Sequence, residues 1–287
     1  MRRLVALAPW IFVLIWSSGF VVAKYAFSSG DPIYFLAIRL IAAALILFAI
    51  ALVMRAPIKI SRSDFLASLL IGVCLHAMYL AGVWYAIGLG APAGLSSVIT
   101  SMQPVLVSVV AVQLLSEPLS RKQQVGLVLG FIGVVFVILP KMSGTSGFSV
   151  TSLTLLTLAL LGSTVGTLLQ KKIGRSVPLL IGTTYQFAIS GVVLLIVSFI
   201  MGATDFHLTK SGFFAMLWAV GVTSIAALLL FFWLLNRGTA AKVSSLFYLV
   251  PPIAVLETYI LFGEKINAQG FIGIAMTTLG VALVLQN

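Results

Sequence analysis

Charged residues are scarce in this sequence. Only 8% of its 287 residues are Asp, Glu, Lys or Arg, and six of these are acidic. A water-soluble globular domain carries about 25% charged residues, so the composition excludes that class of protein. With 61% hydrophobic residues and a mean hydropathy of +1.20, the chain is predicted to have the lipid bilayer as its solvent. The apolar runs are continuous rather than alternating, which favours spanning helices over a β-barrel.

Residues that commonly hold metals or attack substrates are also few. The single cysteine, Cys74, excludes an intrachain disulfide, and two histidines, His76 and His207, are too few for a zinc cluster. The sequence has no phosphate-binding loop and no nucleophile motif. We therefore expect no enzyme activity, no metal, no cofactor and no ATP-driven transport by this chain alone. A net charge of +11 would suggest a nucleic-acid partner in a soluble protein. Here the basic residues cluster in short connections between apolar runs, so we expect no nucleic-acid partner.

What the sequence does contain is a long internal repeat. Residues 104–133 match residues 251–280 at a shift of about 147 positions, which is about half of the chain. The matched pairs include Pro104 with Pro251, Glu117 with Glu264, Gly126 with Gly273, and Gly133 with Gly280. The preceding parts of the two copies match more weakly, at a shift of about 146. We therefore predict two repeats, residues 1–146 and residues 147–287.

Ten apolar stretches divide the chain, and a helix needs about 20 residues to cross the hydrocarbon core. We predict helices 1 to 10 at residues 6–27, 33–54, 65–88, 93–115, 122–140, 150–172, 178–202, 211–235, 240–262 and 268–286. Each repeat then holds five helices. Because five is an odd number of spans, the two copies of the unit must cross the membrane in opposite orientations. The predicted fold class is an all-α polytopic membrane protein of two inverted five-helix repeats.

Lys and Arg residues of the connections fall mainly on one side of the predicted membrane. Twelve lie on one side, namely Arg2, Arg3, Arg55, Lys59, Arg62, Arg121, Lys122, Lys171, Lys172, Arg175, Arg237 and Lys242. Four lie on the other side, namely Lys24, Lys141, Lys210 and Lys265. Since loops rich in Lys and Arg stay in the cytoplasm, both termini are predicted to be cytoplasmic. We expect a multi-pass protein of the cell inner membrane, with Glu117 on the cytoplasmic side and Glu264 on the outer side.

The duplicated pattern resembles the drug/metabolite transporter superfamily in its ten-helix, EamA-type branch. It consists of a proline, a glutamate about thirteen residues later, and a glycine-rich helix. The stretch LIWSSGFVVAK at residues 14–24 is also similar to the start of these proteins, and the resemblance covers essentially the whole chain. The members that it most resembles export amino acids and metabolites. The resemblance implies a central cavity bounded mainly by helices 1, 3, 4, 6, 8 and 9, with helices 5 and 10 packed outside it.

Polar and aromatic side chains inside the predicted spans are the candidates for binding a small-molecule substrate, because ionisable groups at membrane depth are costly. His76 and Tyr79 share a face of predicted helix 3, and small hydroxyl residues form stripes on predicted helices 4 and 9. The candidate substrate-binding residues are Trp16, His76, Tyr79, Ser97, Thr100, Ser101, Ser163, Trp218, Ser244 and Tyr248. The alternative for each is packing: a neutral histidine bonded to a neighbouring helix, small residues in close helix contacts, and tryptophans in the core.

Three ionisable residues are candidates for ion coupling, namely His76, Glu257 and Arg39. Glu257 could instead reach the membrane interface. Arg39 could hold a carboxylate, or its long side chain could extend to the lipid headgroups. Trp10, Trp84 and Trp233 lie nearer to the ends of their spans and are interpreted as interfacial anchors.

Prolines and glycines inside the spans predict bending and close packing. A proline within a helix removes one backbone hydrogen bond, so Pro104, Pro251 and Pro252 are predicted hinges, with the larger bend in helix 9. Glycines on predicted helices 5 and 10 form smooth faces, at Gly126, Gly130, Gly133, Gly273 and Gly280. These faces predict close packing either within the fold or between the protomers of a homodimer.

Together these patterns predict a secondary transporter that works by alternating access. We expect export of amino acids, including aromatic or other neutral ones, or of similar small metabolites across the inner membrane. A rival prediction is efflux of lipophilic cations or drugs, which would favour a carboxylate in the middle of helix 1, where this chain has Trp16. A lipid flippase, a membrane enzyme and a scaffold that transports nothing are the remaining interpretations.

Overall fold

A computed structural model describes residues 2–115, 120–142, 149–173, 177–207, 209–237 and 245–285. Within these ranges the chain is helical, and its only extended pairing is a single bridge between Gly30 and Phe206. We number the helices α1 to α10 in the order of the predicted spans. Their bounds are α1 Arg2–Ala26, α2 Pro32–Val53, α3 Arg62–Gly88, α4 Ala93–Thr100 continued by Gln103–Leu115, α5 Arg121–Met142, α6 Val150–Lys172, α7 Leu179–Met201, α8 Lys210–Leu217 continued to Arg237, α9 Val250–Phe262 and α10 Ala268–Leu285.

Local side-chain chemistry explains where several helices begin. The carboxylate of Asp31 accepts hydrogen bonds from the backbone N–H groups of Ile33 and Tyr34, at the start of α2. Ser149 and Thr209 make the equivalent N-cap contacts at the starts of α6 and α8. Such caps satisfy N–H groups that have no partner within the helix. The predicted boundaries of these helices therefore agree with the structure to within one residue at their starts.

Among the residues that the structure describes, six helices are long and apolar enough to cross a membrane by length and composition. They cover Leu7–Ala26, Pro32–Val53, Arg62–Gly88, Val150–Lys172, Leu179–Met201 and Lys210–Phe231. Shorter apolar helices occupy Ala93–Val107, Val250–Phe262 and Ala268–Leu283. The chain is thus a multi-pass membrane protein. Ten crossings, the inversion of the repeats and the cytoplasmic termini stay predictions.

Helix packing follows a two-repeat pattern. Counterpart helices pack against each other, α2 against α7 and α5 against α10, and these are the two most extensive pairings in the described residues. In addition, α1 packs against α8 and α9, while its counterpart α6 packs against α3 and α4. Exchanging the two halves of the chain therefore leaves this set of neighbours unchanged.

Departures from regular α-helix also recur at the repeat shift. A π-helical segment occupies Val73–Met78 within α3, and a second occupies Trp218–Ala226 within α8. The two segments are about 145 to 148 residues apart, so they fall on equivalent positions. Single π-helical turns within α-helices are frequent at functional sites because they shift the side chains that follow them. They mark the middle of α3 and α8 as irregular in both halves.

The prolines lie at the starts of helical segments rather than at the bends within continuous helices that the sequence predicted. Helix α4 is broken by a turn at Ser101 and Met102, and Pro104 is the second residue of its second segment. In the other half, a 3-10 turn at Ser245–Leu249 comes before α9, and Pro251 and Pro252 lie in the first turn of α9. Proline fits a first helical turn because the N–H that it lacks would have no partner there.

Glycines of α5 and α10 are in contact within one chain. A Cβ added to Gly133 would lie 2.6 Å from the carbonyl oxygen of Gly273, and one on Gly273 would lie 2.6 Å from that of Gly133. A Cβ added to Gly280 would lie 2.6 Å from the carbonyl oxygen of Gly126 and 2.6 Å from Cα of Gly130. These faces therefore serve packing within the fold, and the predicted homodimer would have to use other faces of α5 and α10.

Candidate substrate site

Arg39 on α2 is buried among neutral groups. Its guanidinium donates hydrogen bonds from Nε to Ser224 Oγ at 3.1 Å and from Nη2 to Thr223 Oγ1 at 3.0 Å, both on the π-helical segment of α8. The guanidinium carbon Cζ of Arg39 lies 5.2 Å from the ring centre of Trp84, a distance typical of a cation–π contact. Only 6% of Arg39 is exposed, so the side chain does not extend to the headgroups.

Trp84 is a correction to the sequence analysis. The position of this residue near the end of α3 predicted an interfacial anchor, but its side chain is 2% exposed. It packs between the ring of Phe35 on α2, at 5.7 Å, and the guanidinium of Arg39. Helix–helix burial, rather than depth in the membrane, determines the surroundings of this indole.

His76 lies in the π-helical segment of α3 and bonds to a neighbouring helix. Its Nε2 is 3.2 Å from Oε1 of Gln186 on α7, and the imidazole packs edge-to-face on Phe187 at 4.7 Å. Gln186 in turn donates from Nε2 to Oε1 of Gln170 on α6 at 2.9 Å. This is the contact that the packing interpretation of His76 predicts. Its Nδ1 has no hydrogen bond to the described residues, so one polar atom of the ring stays available.

Tyr79 lies close to Arg39 and His76. The tyrosine hydroxyl interacts with the side chain of Thr100 on α4, and the charge of Arg39 acts electrostatically on both Tyr79 and His76. The predicted substrate residues His76, Tyr79 and Thr100 therefore gather near one buried cation. Helices α2, α3, α4 and α8 all contribute to this group of side chains, which we call the Arg39 cluster: Arg39, His76, Tyr79, Thr100, Thr223 and Ser224.

Hydroxyl groups of α4 turn towards their own helix. Ser97 Oγ donates to the carbonyl of Gly94 at 2.6 Å, Thr100 Oγ1 donates to that of Ser96 at 2.9 Å, and Ser101 Oγ donates to that of Val98 at 2.6 Å. Ser163 on α6 behaves alike, with Leu160 as its acceptor. The donor proton of each hydroxyl is therefore occupied, and a substrate could use these groups only as acceptors.

The predicted aromatic residues lie in separate places. Trp16 packs against Phe12 at 5.4 Å and Phe247 at 5.1 Å, within an aromatic cluster that joins α1, α8 and the turn before α9. Trp218 is 45% exposed and donates from Nε1 to Ser18 Oγ at 2.9 Å. No ring contact joins Trp16, Tyr79 and Trp218 to one another. Ser244 lies outside the described residues, as does the side chain of Tyr248.

Glu257 on α9 faces α1. Its Oε1 accepts a hydrogen bond from Ser17 Oγ at 2.9 Å, while its Oε2 is buried and has no hydrogen-bond partner within the described ranges. A buried carboxylate oxygen without a partner is costly, so this atom has the capacity to take a proton or a cation.

The end of the bundle that is predicted to face outward is fastened by charge. Lys24 at the end of α1 forms a salt bridge with Glu264 at 2.8 Å. Glu264 also accepts from the backbone N–H groups of Ala93 at 3.3 Å and Gly94 at 3.4 Å, at the start of α4. A carboxylate is favourable at a helix N-terminus, and the helix that Glu264 caps is α4 rather than α10, which follows it in the sequence. The counterpart Glu117 lies outside the described residues.

A polar recess lies between α3, α6 and α7. It is lined by side chains that include Ser68, Gln170, Thr183 and Gln186. The hydroxyl of Ser68 is buried and has no hydrogen-bond partner in the part of the chain that the structure describes. Both glutamines of this lining belong to the chain of hydrogen bonds that runs from Gln170 through Gln186 to His76.

Several residues of these sites were missed by the sequence analysis. Gln186, Thr223 and Ser224 contact His76 or Arg39, and Ser17 contacts Glu257. A glutamine in the middle of an apolar span is a signal that a search for uncharged amides would have found. The two hydroxyl residues of α8 gave no such signal, because serine and threonine are common in spanning helices.

Comparisons with known proteins agree in pointing to a transporter. A model of the "EamA-like transporter family" matches residues 4–139 and again residues 150–286. An uncharacterized transporter of Bacillus subtilis, YvbV, is 29% identical over 95% of this chain and 88% of its own length. A "probable amino-acid metabolite efflux pump" of Salmonella typhimurium is 26% identical over 94% of this chain and 91% of its own. One solved structure shares the fold, with a TM-score of 0.69 at 15% identity over 96% of this chain and 94% of that chain.

Proposed function

This chain belongs to the EamA-like transporter family, and from that premise we propose that it is a secondary transporter that exports amino acids or similar small metabolites by alternating access. Family members and relatives are transporters rather than enzymes. The observation that carries the proposal is a two-repeat helix bundle with a buried polar cluster near its irregular helices. In secondary transporters, substrates bind at the interface between repeats, on helices that are interrupted there.

Paired irregular segments supply the mechanical part of the proposal. The π-helical segments of α3 and α8 and the breaks in α4 and before α9 fall on equivalent positions of the two repeats. At such segments the regular backbone hydrogen bonds are already interrupted, so bending there costs less than bending an intact helix. Rocking of one repeat against the other would open the site first to one side and then to the other.

Small amphipathic substrates fit the charges of the Arg39 cluster. It contains one fixed cation and several neutral hydrogen-bonding groups, whereas a polyanion such as a nucleotide sugar would need several basic residues. The name of the Salmonella relative assigns amino-acid metabolites to that protein, and export of related compounds is the proposal for this chain. Export as the direction follows the name of that relative, while the twelve basic residues predicted to face the cytoplasm, against four on the other side, support only the orientation of the chain.

The test is transport by the purified chain in liposomes. Vesicles loaded with one unlabelled amino acid are diluted into the labelled compound at two external pH values, and counterflow is followed for a panel of neutral and aromatic amino acids. Protein-free vesicles and an excess of unlabelled substrate are the controls. We expect saturable counterflow for at least one neutral or aromatic amino acid. Absence of counterflow for every amino acid and metabolite tested would contradict the proposal.

Glu257 favours a second candidate, efflux of lipophilic cations. Its buried Oε2 lacks a partner within the described residues, and a carboxylate at membrane depth is a natural partner for an organic cation. In this case cells that produce the protein should resist a lipophilic dye cation, and Glu257→Gln should remove the resistance. Resistance without amino-acid counterflow would make this candidate the better one.

A further inference from the structure

The charge of Arg39 has no carboxylate partner in the described residues. The chain has six acidic residues, and five of them are engaged elsewhere or distant from this group. Asp31 caps α2, Asp64 bonds to Ser61, Asp205 pairs with His207, Glu257 bonds to Ser17, and Glu264 pairs with Lys24. The sixth, Glu117, is predicted on the cytoplasmic side, in the turn before α5. A buried charge without a counter-ion is costly.

The guanidinium has one edge free. An arginine carries five N–H donors in a planar fork. The edge formed by Nε and Nη2 is used by the hydroxyls of Ser224 and Thr223. Nη1 has no hydrogen bond to the residues that the structure describes, so the edge between Nη1 and Nη2 stays open. That edge matches the two oxygens of a carboxylate, which arginine binds through two parallel N–H···O bonds.

The position of Arg39 is fixed before any ligand arrives. The two hydroxyls hold one edge of the fork, and the ring of Trp84 covers its face at 5.2 Å. Both hydroxyls belong to the π-helical segment of α8. His76 lies in the equivalent segment of α3, and Tyr79 directly follows that segment. Arg39 is therefore bonded to the irregular segment of one repeat and acts electrostatically on His76 in the irregular segment of the other.

On these grounds we propose that Arg39 binds the carboxylate of the substrate on its Nη1–Nη2 edge, so that the transported compounds are small monocarboxylates, including zwitterionic amino acids. This inference rests on the proposed function, since it names the group that the transport site recognises. Thr223 and Ser224 are positioning residues, because they act on the substrate through Arg39. The proposal explains why a costly cation is kept in an otherwise apolar bundle.

Ligand-induced stabilisation of the purified protein in detergent tests the inference independently of transport. The probes are matched triads that differ in one group: phenylalanine, phenylalaninamide and phenethylamine, with leucine, leucinamide and isoamylamine as a second set. We expect the acids to raise the Tm of the unaltered protein, and the amides and amines to leave it unchanged. Arg39→Gln should weaken the apparent affinity for the acids about tenfold or more, the effect of losing hydrogen bonds to a charged group.

Variants separate binding from folding. Arg39→Lys keeps the charge but not the fork, so it should retain preference for the acids at reduced affinity. Arg62→Gln, at the exposed start of α3, removes a cation elsewhere and should change neither Tm nor selectivity. Should Arg39→Gln fail to fold, the acid-to-amide comparison on the unaltered protein still decides.

The inference would be overturned by equal stabilisation by acids and amides, or by unchanged preference for acids in Arg39→Gln. Failure of all the acids to stabilise the unaltered protein would overturn it as well. Transport of amines or cations in liposomes would in that case leave the transporter proposal standing, so the two failures are distinguishable.

Discussion

In the first repeat, the π-helical segment of α3 carries His76, whereas in the second repeat the segment of α8 has Val222 at the same place. Arg39 on α2 corresponds to Tyr185 on α7, and the tyrosine hydroxyl donates to a backbone carbonyl, that of Ile58. The backbone irregularities are thus shared by the two halves, while the ionisable groups are not. Backbone shape is what two moving repeats must have in common, but a single central site needs only one copy of each binding group.

The two ends of the bundle differ in the same way. Lys24, which pairs with Glu264, corresponds to Gln170, which bonds to Gln186 instead. An ionic contact therefore joins helices at the predicted outer end, whereas a neutral amide occupies the equivalent place near the other end. Under the proposed alternating access, this asymmetry would favour one closed state over the other, since the two states of a symmetric carrier would be equal in energy.

The largest effect should come from the packing that both repeats share. Gly133→Val would place methyl groups against the backbone of Gly273 and Thr277, where even a Cβ lies within 2.6 Å. Overpacking of this kind costs about 1–3 kcal/mol or more, so we expect a marked fall in Tm and loss of monodisperse protein on size exclusion. Gly19→Ala, whose Cβ would meet nothing within 4 Å, is the control and should keep its Tm. An unchanged Tm for Gly133→Val would show that α5 and α10 separate easily.

Making the two repeats alike at the π-helical segments should have the next largest effect. His76→Val removes the partner of Gln186 and leaves a buried amide oxygen unpaired, at a cost of about 1–3 kcal/mol. We expect lower Tm and reduced transport in liposomes. His76→Gln can keep a hydrogen bond to Gln186 and should recover most of the Tm. If both variants transport at the original rate, His76 serves packing alone.

Removing the ionic contact should change the balance between the two ends. Lys24 is partly exposed, so the pair with Glu264 is expected to contribute only about 1 kcal/mol, equivalent to a roughly fivefold shift between two states. In Lys24→Gln, a cysteine introduced at Ser17 should become more accessible to a membrane-impermeant thiol reagent added outside, in a Cys74→Ser background. Exchanging the charges, as Lys24→Glu with Glu264→Lys, should restore part of the protection. Equal labelling in all variants would argue against a gate at this end.

The smallest effect is expected at Ser17. Ser17→Ala removes one hydrogen bond from Glu257, whose net contribution is about 1 kcal/mol, so Tm should fall by a few degrees at most.

Val110 occupies the equivalent position to Glu257 in the first repeat, and Glu257→Gln retains an acceptor for Ser17 while removing the charge. If Glu257 couples transport to protons, a pH gradient will drive accumulation in the unaltered protein and not in Glu257→Gln. Accumulation that persists in Glu257→Gln would exclude that role.

The sequence predicted the helices and the repeat because both depend on residues that are close together or regularly spaced along the chain. Apolar runs mark helices, caps such as Asp31 mark their starts, and Pro104 marked the broken region of α4. The family came from resemblance to known members in these motifs, and the family model confirms it. Patterns failed where the outcome depends on neighbours that are distant in the chain. Trp84 became buried beneath Arg39 rather than anchoring at the interface, because Phe35 and Arg39 of α2 pack on its ring.

The amino-acid sequence alone determined the solvent of this protein, its helical class and its duplication, since hydropathy and spacing are properties of the chain by itself. Its motifs carried the resemblance to a transporter family. Only the tertiary structure decided which polar groups meet. Arg39 and Ser224 are 185 positions apart, and Ser17 and Glu257 are 240 positions apart. No local pattern encodes such pairs, because they arise when α2 packs on α8 and α1 on α9. The hydrogen bonds within these two pairs can form only when the helices pack against each other.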